Sequence, residues 1–185
     1  MMNTTHTAMG VTLAAPLVAL APELAPAAAL AGFVGGAFPD LDLLSGQHRR
    51  TLHFPVYYSA AALVAGGVAL VVPFLPTVAG AFFLLSAAVH CLADAAGGGL
   101  ELRPWEATDD RGVYVHPADR WVRARRWIRY DGAPEDLLLA GVFSLPGLLL
   151  FNGMVRTLTV VGLAVSVAYV AVRKRLPELE VRFLR

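Results

Sequence analysis

Residues 54–89 read FPVYYSAAALVAGGVALVVPFLPTVAGAFFLLSAAV, 36 positions without one charged side chain. One bilayer crossing takes about 20 apolar residues. The run is therefore long enough for two, with Pro73 and Pro76 marking the turn between them. Composition points the same way: hydrophobic residues make up 57 % of the chain and charged ones 16 %, with a mean hydropathy of +0.60. A soluble domain carries about 25 % charged residues. The chain reads as an integral membrane protein.

Further apolar segments flank this run on both sides. Residues 7–21 and 24–38 form one pair, joined around Pro22-Glu23, and residues 54–74 and 77–96 form the central pair. Residues 137–151 and 157–172 form a third, joined around Asn152-Gly153. The pattern predicts an all-α, polytopic membrane bundle of about six apolar helices in three hairpins. It reads as a single domain over 1–185, with motif-bearing helices in 1–96, a polar loop in 97–135, a helix hairpin in 136–173 and a tail in 174–185. The outer pairs have arms of about 15 residues, which predicts shallow spans or local thinning of the bilayer.

The polar loop carries seven arginines between turn signals at Gly97-Gly98-Gly99 and Asp131-Gly132. Arg120, Arg123, Arg125, Arg126 and Arg129, interleaved with Trp121, Val122, Trp127 and Ile128, predict a basic amphipathic helix in the headgroup layer. The plainer reading is a solvated surface helix. Arg49, Arg50, the seven loop arginines, Arg173, Lys174, Arg175, Arg182 and Arg185 fall on one side of the three hairpins. That is 14 of the 15 basic residues, Arg156 being the exception. Lys and Arg collect in cytoplasmic loops, so the expectation is a multi-pass protein of the inner or plasma membrane with both termini cytoplasmic. No Lys or Arg precedes the first apolar segment, so it lacks the n-region of a signal peptide and reads as retained. With a net charge of +1, direct nucleic-acid binding is not expected, and membrane lipid is the expected partner. The single cysteine, Cys91, excludes an internal disulfide and reads as a small apolar helix residue.

Metal-type donors gather at the ends of the apolar segments: His6, then Asp40 and Asp42 after Pro39, then His48 and His53, then His90 and Asp94. Four of the five histidines are in this set. His90 and Asp94 are four apart, which puts both on one helix face. A packing histidine hydrogen-bonded to Asp94 is the bland alternative, but ionisable groups near a membrane interior are costly and usually functional. Asp40 alone is explained as an Asx turn; two acids facing a loop that returns two histidines are not. Neutral imidazoles with carboxylates suit Zn²⁺ or a similar divalent ion. The donors outnumber the ligands of one catalytic zinc, so the expectation is one or two ions, with a bridging water as nucleophile in the two-ion case. Arg49 and Arg50 are candidates to hold a substrate phosphate or serve as positive-inside anchors. His116 reads as a solvated loop residue, and Glu135 and Asp136 as acids at a helix N-terminus.

The early His6, the stretch Gly36-Ala37-Phe38-Pro39-Asp40-Leu41-Asp42, the stretch His48-Arg49-Arg50-Thr51-Leu52-His53 and the pair His90 and Asp94 resemble the YdjM-like family. That family is described as LexA-binding, inner-membrane metal-dependent hydrolases. The resemblance covers residues 1–105, with the motifs in matching order. More remotely, the ligand order is similar to that of zinc-dependent phospholipase C enzymes. Arg50 stands where the family loop has Gly, Leu52 precedes His53, and Phe54 stands where the family has Ser. The resemblance implies His6, Asp40, Asp42, His48, His53, His90 and Asp94 as metal ligands.

The function expected from these readings is a membrane-bound metal-dependent hydrolase acting at the cytoplasmic face on a phosphoester such as a phospholipid. Asp40, Asp42 and His90 are the candidate catalytic residues, with a free aspartate as base. The alternative is a non-catalytic protein whose structural metal ties loop ends together while the basic loop recruits a partner or anionic lipid. Metal transport is disfavoured, because no ligand-type residues line the middle of the apolar segments. No P-loop, G-x-S-x-G elbow or CxxC pair is present.

Overall fold

A computed structural model describes residues 1–178, so Arg182 and Arg185 of the expected tail lie outside the described residues. The helices are α1 (Asn3–Leu13), α2 (Leu17–Leu20), α3 (Ala25–Ala37), α4 (Pro55–Val71), α5 (Leu75–Asp94), α6 (Pro134–Leu149) and α7 (Gly153–Val172). A 3₁₀ turn, Phe38–Leu43, continues α3. Proline punctuates the pattern. Pro16 separates α1 from the single turn α2, Pro22 follows α2, and Pro26, Pro55, Pro76 and Pro134 sit in the first turns of α3, α4, α5 and α6, where a missing N–H costs no hydrogen bond.

The expected six-helix polytopic bundle is corrected by the helix lengths. Among the described residues, only Leu75–Asp94 and Gly153–Glu178 are long and apolar enough to cross a membrane; Pro55–Val71 falls short. The apolar stretch 7–21 is broken into two short helices, because α1 ends at Leu13 ahead of Pro16. The fold is mostly helical but not all-α. Where a basic amphipathic helix was expected, β1 (Arg111–Val115) and β2 (Arg120–Arg123) form an antiparallel hairpin, with Tyr114 opposite Trp121 and an irregularity between Arg111 and Val113. The residues 120–123 alternate charged and apolar only approximately, but Trp121 and Val122 favour a pleated surface and find Tyr114 and Val113 across from them. Asp119 and Arg126, both with positive φ, also interrupt any helix there.

α1 is the central element, packed by α3, α5, α6 and α7. Its buried face includes Thr5, His6, Gly10 and Val11. Backbone approaches backbone at glycine: a Cβ added to Gly10 would lie 2.1 Å from the Gly32 carbonyl oxygen, and one on Gly36 would lie 2.5 Å from that of His6. Small residues permit this close packing, and it is what brings His6, the Asp40 turn and α5 together. An apolar core of Val11, Ala14, Ala28, Ala29, Val78, Phe151 and Val155 fills the other end. Outward faces are apolar too, with Leu63, Leu70 and Val71 of α4 and Leu149 of α6 all largely exposed. The segment after β2 straps across the end of α5, its Arg125, Arg126 and Ile128 N–H groups donating to the carbonyls of Ala95, Gly97 and Ala96.

Candidate metal centre

Four elements converge at one end of the bundle. α1 delivers His6, the 3₁₀ turn delivers Asp40 and Asp42, the loop before α4 delivers His48 and His53, and α5 delivers His90 and Asp94. Pro55 opens α4 directly after His53 and so fixes where that loop re-enters the bundle. His6, Asp42, His53, His90 and Asp94 are sealed from solvent, and Asp40 keeps a little exposure.

Asp40, His53, His90 and Asp94 each present one ligand atom, and these atoms all lie within 4.8 Å of one another. His53 Nε2 is 3.2 Å from His90 Nε2 and 3.2 Å from Asp94 Oδ2. His90 Nε2 is 3.3 Å from Asp94 Oδ2 and 3.3 Å from Asp40 Oδ1, and His53 Nε2 is 3.6 Å from Asp40 Oδ1. Ligands of a tetrahedral zinc at about 2.0–2.2 Å stand about 3.3–3.6 Å apart. Five of the six edges of the set, at 3.2–3.6 Å, lie within about 0.1 Å of that spacing.

The ring orientations agree with it. His90 Nδ1 donates to the Gly36 carbonyl at 2.6 Å, and His53 Nδ1 donates to Asp42 Oδ2 at 2.8 Å. Each outer bond engages Nδ1 and turns Nε2 inward, where it can take a proton or a cation, as in the carbonyl- and carboxylate-backed histidines of metal sites. Two imidazole lone pairs facing each other repel unless a proton or a cation lies between them. Asp94 Oδ2, in the middle of the set, has no hydrogen-bond partner among the described residues.

Electrostatics follow from burial and neighbours. Burial, reinforced by the charge of His90, lowers His6 to about 3, so it is neutral. Burial opposes the charge on His53, but its hydrogen bond to Asp42 and the nearby Asp94 carboxylate outweigh it and raise its pKa. Burial likewise opposes ionisation of Asp40 and Asp42, yet the hydrogen bond to His90 holds Asp40 well below the carboxylate range, and those to His48 and His53 hold Asp42 at about 2. The carboxylates are thus ionised, and a proton held between the Nε2 atoms of His53 and His90 is one that an ion would displace, which couples metal binding to proton release.

The other expected residues take outer positions. His6 stacks on His90 at 3.7 Å between ring centroids and places Nε2 3.2 Å from Asp94 Oδ1, the carboxylate oxygen facing away from the set. His48 Nδ1 lies 2.9 Å from Asp42 Oδ1; with His53 these form a second donor group, Asp42, His48 and His53, that shares His53 with the first. Because His53 Nδ1 is bonded to Asp42, the first group uses the nitrogen left over, and Asp42 links the two histidines. Arg49 is buried, at φ 59°, with Nε 3.5 Å from Asp94 Oδ2 and Nη1 donating to the carbonyls of Gly98 and Gly112. Arg50 points elsewhere, over the Tyr114 ring at 4.3 Å and onto Gln47.

Several positions carry more than their sequence context announced. Asn3 donates to Asp40 Oδ2 at 2.9 Å and holds that carboxylate. Asp136, fully buried, accepts from Met2 N, Thr5 Oγ1 and Gly132 N, tying the start of α1 to α6; the acid at a helix start was legible, but its reach to α1 was not. His116, expected as a solvated loop residue, lies in the turn between the strands but is half-buried, its ring 4.6 Å from that of Phe54. Beside the centre lies a pocket of about 410 Å³, lined among others by Asp40, His48, Glu101, Asp131, Tyr169 and Arg173. No protein-family model, curated protein or solved structure matches the chain; the likeness to the YdjM-like family rests on the motifs quoted above.

Proposed function

We propose that this chain is a metal-dependent hydrolase working at the membrane surface on a phosphoester, as its YdjM-like motifs imply. The observation that carries the reading is the set of four donors spaced as the edges of one tetrahedral ion, with Asp40 alone reaching the adjoining pocket. His53, His90 and Asp94 would hold the ion, and Asp42 and the Gly36 carbonyl orient the two imidazoles. A bound divalent ion such as Zn²⁺ supplies Lewis acidity and a lowered water pKa. Asp40, steadied by Asn3, is placed to accept the proton of a water in the pocket.

The position of the pocket favours a lipid substrate. Asp94 closes α5, and Arg173 follows α7, so the two helices long enough to cross a bilayer bring their C-terminal ends to one site. If both cross, the pocket lies in the headgroup layer. Arg49, Arg50, the hairpin arginines and residues 173–175 gather at this end, and Arg156 lies near the start of α7 at the other. The positive-inside rule makes the site face cytoplasmic.

A second reading has one observation in its favour: four protein donors can close a tetrahedron, as in a structural zinc site. Metal analysis of the purified protein, with a phosphodiester assay on His90→Ala and Asp40→Asn, separates the two. The hydrolase reading expects His90→Ala to lose both ion and turnover, and Asp40→Asn to keep the fold and much of the ion while losing turnover. A metal-loaded wild type inert toward phosphodiesters, with His90→Ala unfolding as it loses the ion, establishes the structural reading instead.

A further inference from the structure

We infer that Arg173, rather than Arg49 or Arg50, holds the substrate phosphate, and that the pocket takes a phospholipid lying along α7. The inference rests on the hydrolase reading above and adds the residue that holds the phosphate and the path of the lipid along α7. Val165, Tyr169 and Arg173 are spaced four apart, so they form one stripe on α7 and its C-terminal end, and all three line the pocket beside Asp40. Eight residues of helix rise about 12 Å. The stripe therefore runs from an apolar side chain at depth, through a phenol, to a guanidinium at the level of the metal centre. A phospholipid has the same order of chemistry along its length.

Arg173 has its fork set by Asp131 and still has a hydrogen bond to give. It is buried, and its Nε and Nη2 donate to Asp131 at 2.8 and 2.9 Å. The Tyr169 hydroxyl donates to the same carboxylate. Trp105 covers the guanidinium, its ring centroid 5.4 Å away. Nη1 has no hydrogen-bond partner among the described residues. Arg49 also lines the pocket, but its Nη1 is taken by two carbonyls and its Nε is turned to Asp94 Oδ2 at 3.5 Å, on the side of the buried donor set, while Arg50 lies over Tyr114. Because Asp131 neutralises Arg173, recognition comes from a directed hydrogen bond more than from net charge, so affinity should depend only weakly on salt. A free phosphate would use Arg173 but leave the apolar wall at Val165 idle.

The test titrates dihexanoylphosphatidylglycerol, glycerol 3-phosphate and inorganic phosphate into the detergent-solubilised full chain, metal-free and zinc-loaded, read by calorimetry and ³¹P NMR. The lipid is expected to bind saturably in both states and more tightly than either soluble phosphate. Arg173→Gln should weaken it about ten- to a hundredfold, the worth of one or two charge-assisted hydrogen bonds. Arg173→Lys should weaken it less, and Val165→Asn should bring the lipid down toward glycerol 3-phosphate. Lipid affinity unchanged in folded Arg173→Gln overturns the assignment of Arg173, and glycerol 3-phosphate binding as tightly as the lipid overturns the lipid. If Arg173→Gln does not fold, Arg173→Lys and Val165→Asn decide alone, and lipid affinity unchanged in both overturns the inference. A wild type that binds the lipid without hydrolysing it retires the enzyme reading and leaves this one standing. Turnover with an unchanged KM in Arg173→Gln does the reverse.

Discussion

The two ends of this helix bundle are built on opposite rules. At one end His6, Asp42, His53, His90 and Asp94 are sealed inside, and at the other Leu70 and Val71 stand 87 % and 82 % exposed. The polar end is held by direction, most of its buried nitrogens and oxygens depending on one or two partners at hydrogen-bond distance. The apolar end is held by area and close backbone approach, and its outer surface asks only for an apolar surrounding. The first should therefore fail on the loss of a single atom, and the second on a change of polarity or volume.

The largest effect is expected from breaking the polar end. Asp94→Asn leaves Arg49 and the imidazoles around it without their carboxylate, and breaking a buried pair costs about 3–5 kcal/mol. Unfolding in mixed micelles should show it, and a variant as stable as the wild type would mean that the site is not held by charge. Next comes polarity at the apolar end. Val161→Asp places a carboxylate at the exposed middle of α7, and if that helix crosses the bilayer, insertion should worsen by about 2.5–3.5 kcal/mol. The fraction recovered in membranes measures this, and unchanged recovery would argue that α7 does not cross. Volume follows: Gly32→Ala puts a methyl 2.3 Å from the Gly10 carbonyl oxygen, an overpacking expected to cost about 1–3 kcal/mol in the same unfolding assay.

The smallest effect lies outside both regions. Hydrogen bonds from Arg129 hold Glu135 at about 2, below its ordinary value of about 4.3. A depressed carboxyl stabilises the fold above the unfolded pKa and loses that contribution as pH falls toward the folded one. Glu135→Gln should therefore flatten the stability profile between about pH 4.5 and 2. Arg129 is 63 % exposed, so the change should stay below about 1 kcal/mol. A larger change would show that this pair is better shielded than its exposure indicates.

Much of the site was legible one residue at a time and much of the architecture was not. His90 and Asp94 follow from a helix period of 3.6, and the structure places them 3.3 Å apart on one face. The hairpin at 111–123 escaped because arginine and aromatic residues interleave in a way that suits either a helix face or a strand, and only the partner strand decides between them. The six apolar segments overstated the spans, because hydropathy counts side chains and does not see where Pro16 ends a helix or which faces pack on neighbours.

By itself the sequence determined which residues can bind an ion and where helices must stop, since donor chemistry, proline and local periodicity are properties of short stretches. Tertiary structure decided the rest. It chose Asp40, His53, His90 and Asp94 as the set with tetrahedral spacing, turned Asp42 into the link between two histidines, and enclosed Arg49. It joined Asp136 to the start of α1 across 134 positions of chain. Those outcomes depend on glycine contacts that bring α1, α3 and α5 within backbone distance, and a distance between helices is not encoded in any one of them.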